Sequence, residues 1–134
     1  MMKSKEELNG LSGIIVDAAM EVHREFGPGL LERVYEAALA QELRVRGISS
    51  VRQMPLPVVY KGCVLDDEGY RIDLLVEDCI VVELKTVAAL LPIHEAQLST
   101  YLRLAGKNLG LLINFHTILL KDGIKRRVHQ FPSV

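Results

Sequence analysis

The stretch "RIDLLVEDCIVVELKT", Arg71 to Thr86, decides how the chain is read. Its Ile, Val and Leu residues form two short apolar runs, Tyr70–Val76 and Ile80–Thr86, of the kind that make buried strands. Asp73, Glu83 and Lys85 lie inside those runs. An unpaired charge in such a place costs several kcal/mol or loses its ionisation, so these three call for partners. Glu83 and Lys85 are two apart, which on a strand places both on one face, about 6–7 Å apart along the chain. The position of Asp73 depends on the connection. A two-residue loop (Glu77–Asp78) sets it opposite Val82 and facing away from Glu83. A three-residue loop (Glu77–Cys79) sets it directly opposite Glu83, with the Cβ atoms about 5 Å apart. Carboxylates that close repel, and a divalent cation between them removes the repulsion. The structural alternative is an ion triad in which Lys85 neutralises both acids.

The flanking sequence predicts helices on either side of these strands. Over residues 5–26, Leu8, Leu11, Ile15, Ala18, Val22 and Phe26 recur at helical spacing. Ser4 and Glu7 form a candidate capping box, and Gly27-Pro28-Gly29 ends the helix. A second helix is expected over Leu30–Arg46, with an apolar stripe of Leu31, Val34, Ala38, Leu39 and Leu43 and with Gly47 as its cap. Ile48–Met54 and Leu56–Val64 read as strands, with Pro55 and Pro57 marking a break or an edge. A third helix is expected at Ile93–Ala105, then a buried strand at Leu109–Phe115 and a terminal hairpin turning at Asp122–Gly123. The order α-α-β-β-β-β-α-β-β-β predicts a single-domain α/β sandwich over residues 1–134, a central mixed sheet flanked by helices.

Two helices add polar candidates. Gln97 and Tyr101 are four apart and share a helix face; otherwise they are a rim amide and a half-buried tyrosine. Glu32, with Tyr35 three residues on, falls in the first turn of helix two, where an acid is also favoured by the helix dipole alone. His23, late in the first helix, fits a C-terminal capping role better than a site role. His94 suits a helix start or a site equally. Lys121, Lys125, Arg126 and Arg127 form a basic cluster that could meet a phosphate backbone or simply face water.

Composition narrows the class. The 134 residues are 49% hydrophobic and 25% charged, enough apolar material for a core. The net charge of −1 is not that of a general nucleic-acid coat protein, although it leaves room for an enzyme with a local phosphate site. No apolar run spans a membrane and "MMKSKEELNG" has no signal-like core, so a cytoplasmic location is expected. Cys63 and Cys79 are too few for a four-thiolate metal site and read as reduced thiols.

The blocks "GLLERVYEAAL" (through Gly29, Glu32 and Tyr35), "YRIDLLV", "IVVELKT", "HEAQLSTYL", "GLLINF" and "KDGIKRRV" resemble, in order, those of the GxxExxY proteins. That family is similar to the PD-(D/E)xK nuclease superfamily, and here looks closest to its branch with a glutamine–tyrosine helix motif. The resemblance covers residues from about Asp17 to Val128. It implies a metal-dependent phosphodiester hydrolase acting on DNA or RNA, with Mg²⁺ or Mn²⁺ as cofactor and no membrane partner. Asp73 and Glu83 would be metal ligands, Lys85 the catalytic lysine and Glu32 a further acid of the metal shell. Gln97 and Tyr101 would orient the phosphate or the lysine. Ile72 stands where the family motif usually has proline. The alternative is a non-catalytic module that binds nucleic acid or protein on the same fold.

Overall fold

A computed structural model describes residues 3–134. Helix α1 (Lys5–Phe26) starts at the expected box: Ser4 Oγ accepts from the Glu7 N–H, and Glu7 accepts from the Ser4 N–H. Its buried stripe runs from Leu8 through Ile15 to Val22, while Phe26 stays exposed. The chain then turns through Gly27 (φ 63°) and Gly29 (φ 111°), conformations that suit residues without a Cβ.

Helix α2 (Glu32–Val45) begins two residues later than the pattern suggested. The reason is Tyr35. Its hydroxyl accepts from the Leu30 N–H at 3.1 Å and donates to the Gly27 carbonyl, holding residues 27–31 as a non-helical loop. The buried face of α2 also differs. Tyr35, Glu36, Leu39, Ala40 and Leu43 point inward, and Leu31 and Val34 are exposed. The tyrosine ring stacks on Phe115 at 4.5 Å, a contact that outweighs the burial of Val34.

Strands β1 (Ser50–Pro55), β4 (Arg71–Val76), β5 (Ile80–Lys85), β6 (Leu109–Asn114) and β7 (Ile124–Val128) form one sheet in the order β1-β4-β5-β6-β7. Only β5 and β6 are parallel, joined through α3 (Pro92–Ala105), so the sheet is mixed as expected. The predicted strand Leu56–Val64 is instead a separate hairpin, β2 (Val58–Tyr60) with β3 (Cys63–Asp66). It reverses at Lys61-Gly62, both at positive φ, where glycine supplies the turn. The C-terminal hairpin is also corrected. Leu120–Gly123 is a short 3-10 turn, and β7 pairs with β6 rather than with the residues just before that turn.

α1 and α2 cover one face of the sheet, in a core that includes Leu74, Val82, Leu84, Leu111 and Phe115. α3 covers the other, packing Leu98, Tyr101 and Leu102 on Ile72, Leu75, Val81 and Leu112. α3 lies close because β6 has Gly110 beneath it; a Cβ there would stand 2.8 Å from a Leu98 methyl.

Candidate active site

The β4–β5 hairpin has the three-residue connection. Val76 pairs with Ile80 and Leu74 with Val82, which makes Asp73 the counterpart of Glu83. Glu77 and Asp78 both take positive φ, and the Cys79 N–H closes the turn on the Val76 carbonyl at 3.0 Å. Regular pairing stops at Leu74–Val82, and beyond it the side chains replace the missing ladder bonds. The Leu84 N–H donates to the Asp73 carboxylate at 2.8 Å, and the Asp73 N–H donates to the Glu83 carboxyl at 3.4 Å. Face alternation breaks at the same point, since Ile72 and Leu75 both lie on the α3 side. The two strands thus open into a fork with an acid on each prong.

Glu83 is buried, at 8% exposure. Burial first, and then the facing Asp73 charge, push its carboxyl up to about 10, and Lys85 only partly offsets this. In the absence of a cation the pair therefore holds one proton, as two crowded carboxylates do. Lys85 is half-buried two residues on, and its backbone carbonyl accepts from the Phe115 N–H.

Glu32 stands at the solvent-facing rim, at the start of α2. Partial burial, then the Asp73 charge, raise its carboxyl above the ordinary range while Lys85 pulls it back, so it borders the same charges. Tyr35 of the same helix turns into the core and has no part in the site. From the other face, Gln97 Nε2 donates to the Tyr101 hydroxyl at 3.2 Å. Burial, and then the charge of Glu83, raise that hydroxyl's pKa, which ties Tyr101 to the fork.

Three residues that the sequence pattern did not single out support the fork. Gln53 of β1 lies where the β1–β4 ladder skips a pair, at φ 54°. Its amide donates to Asp73 at 3.3 Å and to Glu36. Glu36, buried at 5% exposure, also pairs with Arg52 at 2.9 Å. An acid at i+4 from Glu32 was the available signal, but α2 is rich in charge. Asn114, fully buried in β6, bonds both the N–H and the carbonyl of Val87 and so fixes the segment that follows Lys85. A polar residue at the end of an apolar strand was its signature.

The remaining candidates fall outside. His23 Nε2 meets the Thr117 carbonyl at 2.8 Å, a structural tie. His94 Nδ1 accepts from the Leu91 N–H and caps α3. In the basic cluster, Arg127 pairs with Glu95 and Arg126 bonds Asn9.

Among the described residues, no group of three or more His, Cys, Asp or Glu forms a metal cage. What the fork offers is two carboxylates, one of them protonated for want of a counter-charge. That donor set fits a hard divalent cation which keeps most of its waters, and does not fit zinc. Among the described residues, no helix is long and apolar enough to cross a membrane.

An α/β/α sandwich with an acidic fork and a lysine at the end of its second prong is the architecture of a PD-(D/E)XK-type nuclease fold. The family profile of the PD-(D/E)XK nuclease superfamily matches residues 9–127, and the chain belongs to that superfamily. No curated protein and no solved structure matches it.

Proposed function

We propose that the protein is a metal-dependent phosphodiesterase acting on nucleic acid, with Asp73 and Glu83 as the metal-holding pair. The observation that carries this reading is the fork itself. A buried acid and a half-buried one face each other and one must be neutralised, an arrangement that costs stability unless a cation uses it. Mg²⁺ or Mn²⁺ would be held by Asp73 and Glu83, with Glu32 reaching it through water. Such an ion, when bound, acidifies a water and offsets charge on the phosphate.

The chain's own residues do the rest. Glu83 gives up its proton when a cation arrives. Lys85, on the same strand, sets positive charge beside the attacking water or the scissile phosphate. Gln97, anchored on Tyr101, presents its amide to a phosphate oxygen. Gln53 donates to one oxygen of Asp73 and Leu84 to the other, which restrains rotation of the carboxylate.

The test is a cleavage screen with Mg²⁺ and Mn²⁺ over linear and circular DNA, single strands and RNA, with Asp73→Ala as control. Metal-dependent cleavage lost in the variant supports the reading; no cleavage of any substrate by the wild type overturns it. A second reading, a binding module without turnover, is favoured by one observation, that among the described residues no third carboxylate closes on the pair. It is supported if nucleic acid binds without being cut.

A further inference from the structure

Beside the fork runs a groove of about 380 Å³, between α3 and the chain around β2 and the start of β4. Its walls include Val58, Tyr70, Ile93, Gln97 and Tyr101. None of its lining residues carries a charge. We propose that this groove is a nucleobase slot, which takes the base of a nucleotide next to the scissile phosphate and so selects single-stranded nucleic acid over intact duplex. The inference rests on the phosphodiesterase reading and deepens it.

Continuity with the fork is the first support. Gln97 and Tyr101, joined by their hydrogen bond, line the groove, and Tyr101 also packs against Ile72, the neighbour of Asp73. A nucleotide whose phosphate sits at the fork therefore has its base within reach of the groove. The second support is the wall chemistry. Tyr70 meets Tyr101 edge-on, at 6.4 Å and 79°, yet remains 45% exposed. An exposed ring beside Val58 and Ile93 offers an apolar stacking surface, and the Gln97 amide oxygen, which its bond to Tyr101 leaves free, offers an acceptor to a base edge. A phosphate is a poor occupant because no cationic side chain lines the groove. A base has the required combination of flat face and polar edge.

Strandedness follows from access. Bases of a duplex are stacked and paired, and one must be extruded before it can enter a slot. A single strand presents its bases at little cost, and each stacked base is worth roughly 5- to 150-fold in affinity.

The experiment measures binding to the full chain in EDTA, so that nothing is cut. The probe is a short DNA strand carrying 2-aminopurine, used alone and annealed to its complement. The wild type is expected to bind the single strand at least about tenfold more tightly than the duplex and to quench the 2-aminopurine. Ala96→Phe, which fills the groove from an exposed helical position, should abolish the preference and the quenching. Tyr70→Ala should reduce both and Tyr70→Phe should restore them, with melting temperatures confirming that each variant folds. Equal binding of the two forms, or a preference untouched by Ala96→Phe, overturns the slot. So does a wild-type dimer that Ala96→Phe converts to monomer, since the groove's occupant is then a second copy. If metal-dependent cleavage persists while the slot fails, the phosphodiesterase reading stands alone. If neither strand form binds and nothing is cleaved, both fall.

Discussion

Asp73 and Glu83 each take a backbone N–H from the other's strand: Leu84 donates to Asp73 and Asp73 donates to Glu83. The exchange fixes the two carboxyls face to face where the ladder ends. Burial of Glu83, and then the Asp73 charge that this geometry sets before it, keep the Glu83 carboxyl protonated at neutral pH, and the Asp73 N–H only partly opposes them.

The proton has a direct consequence for stability. The Glu83 carboxyl rises from about 4.5 unfolded to about 10 folded, so the native state binds the extra proton. Its contribution is complete below the unfolded value and is lost as pH rises toward the folded one, at up to about 1.4 kcal/mol per pH unit. Without divalent cations, the wild type should melt at lower temperature at pH 9 than at pH 6. Glu83→Gln, permanently neutral, should lose most of that slope and melt higher at pH 9. Parallel curves for the two proteins would contradict the burial of this charge.

Cation binding should release the same proton. Titration calorimetry with Mg²⁺ or Mn²⁺, in buffers of different ionisation enthalpy, is expected to report about one proton released and an affinity that climbs with pH. Saturation at a hundredfold excess over Kd should add about 2.7 kcal/mol of stability. Asp73→Asn should weaken binding and shrink the thermal shift; an unchanged shift would place the metal elsewhere.

Lys85→Met separates holding the metal from using it. Both acids remain and a competing cation is gone, so metal affinity should persist or increase. Cleavage should drop about 10²- to 10³-fold, the usual worth of one preorganised electrostatic contact. Equal rates for wild type and variant would make Lys85 structural.

Gln53 combines a left-handed backbone with a bridge from Glu36 to Asp73. Gln53→Gly fits the backbone and removes the bridge, so its stability should stay within about 1 kcal/mol of the wild type while metal affinity declines. Gln53→Val forces a β-branched residue into that conformation and should cost about 1–3 kcal/mol in denaturant melts. A Gly variant less stable than the Val variant would mean that the left-handed backbone at this position carries no strain for a side chain to feel.

The sheet was legible because its strands are apolar runs with turn residues between them, and Asp73, Glu83 and Lys85 stood out as charges in those runs. The loop at Glu77–Cys79 was legible only as far as a choice between two and three residues, because no glycine marks which positions take positive φ. The true face of α2 was not legible. Tyr35 counts as polar in a pattern but fills the core, because its single hydroxyl finds two backbone partners. The Leu56–Val64 run looked like one strand because Lys61-Gly62 interrupts it with only one glycine. Gln53 was silent for a different reason: an amide shows its use only when its partners arrive from distant parts of the chain.

The short reach of the Glu77–Cys79 loop also bears on the order of events during folding. Closing a hairpin over three residues takes on the order of microseconds, whereas α2 must be brought in from beyond β1, β2 and β3 and α3 must still fold and dock. The acids therefore meet while water still surrounds them, and their repulsion is felt only when the helices seal the fork. Alkaline pH should then act on escape from the native state rather than on its formation. In a chevron plot the unfolding limb should rise with pH, while the refolding limb barely moves.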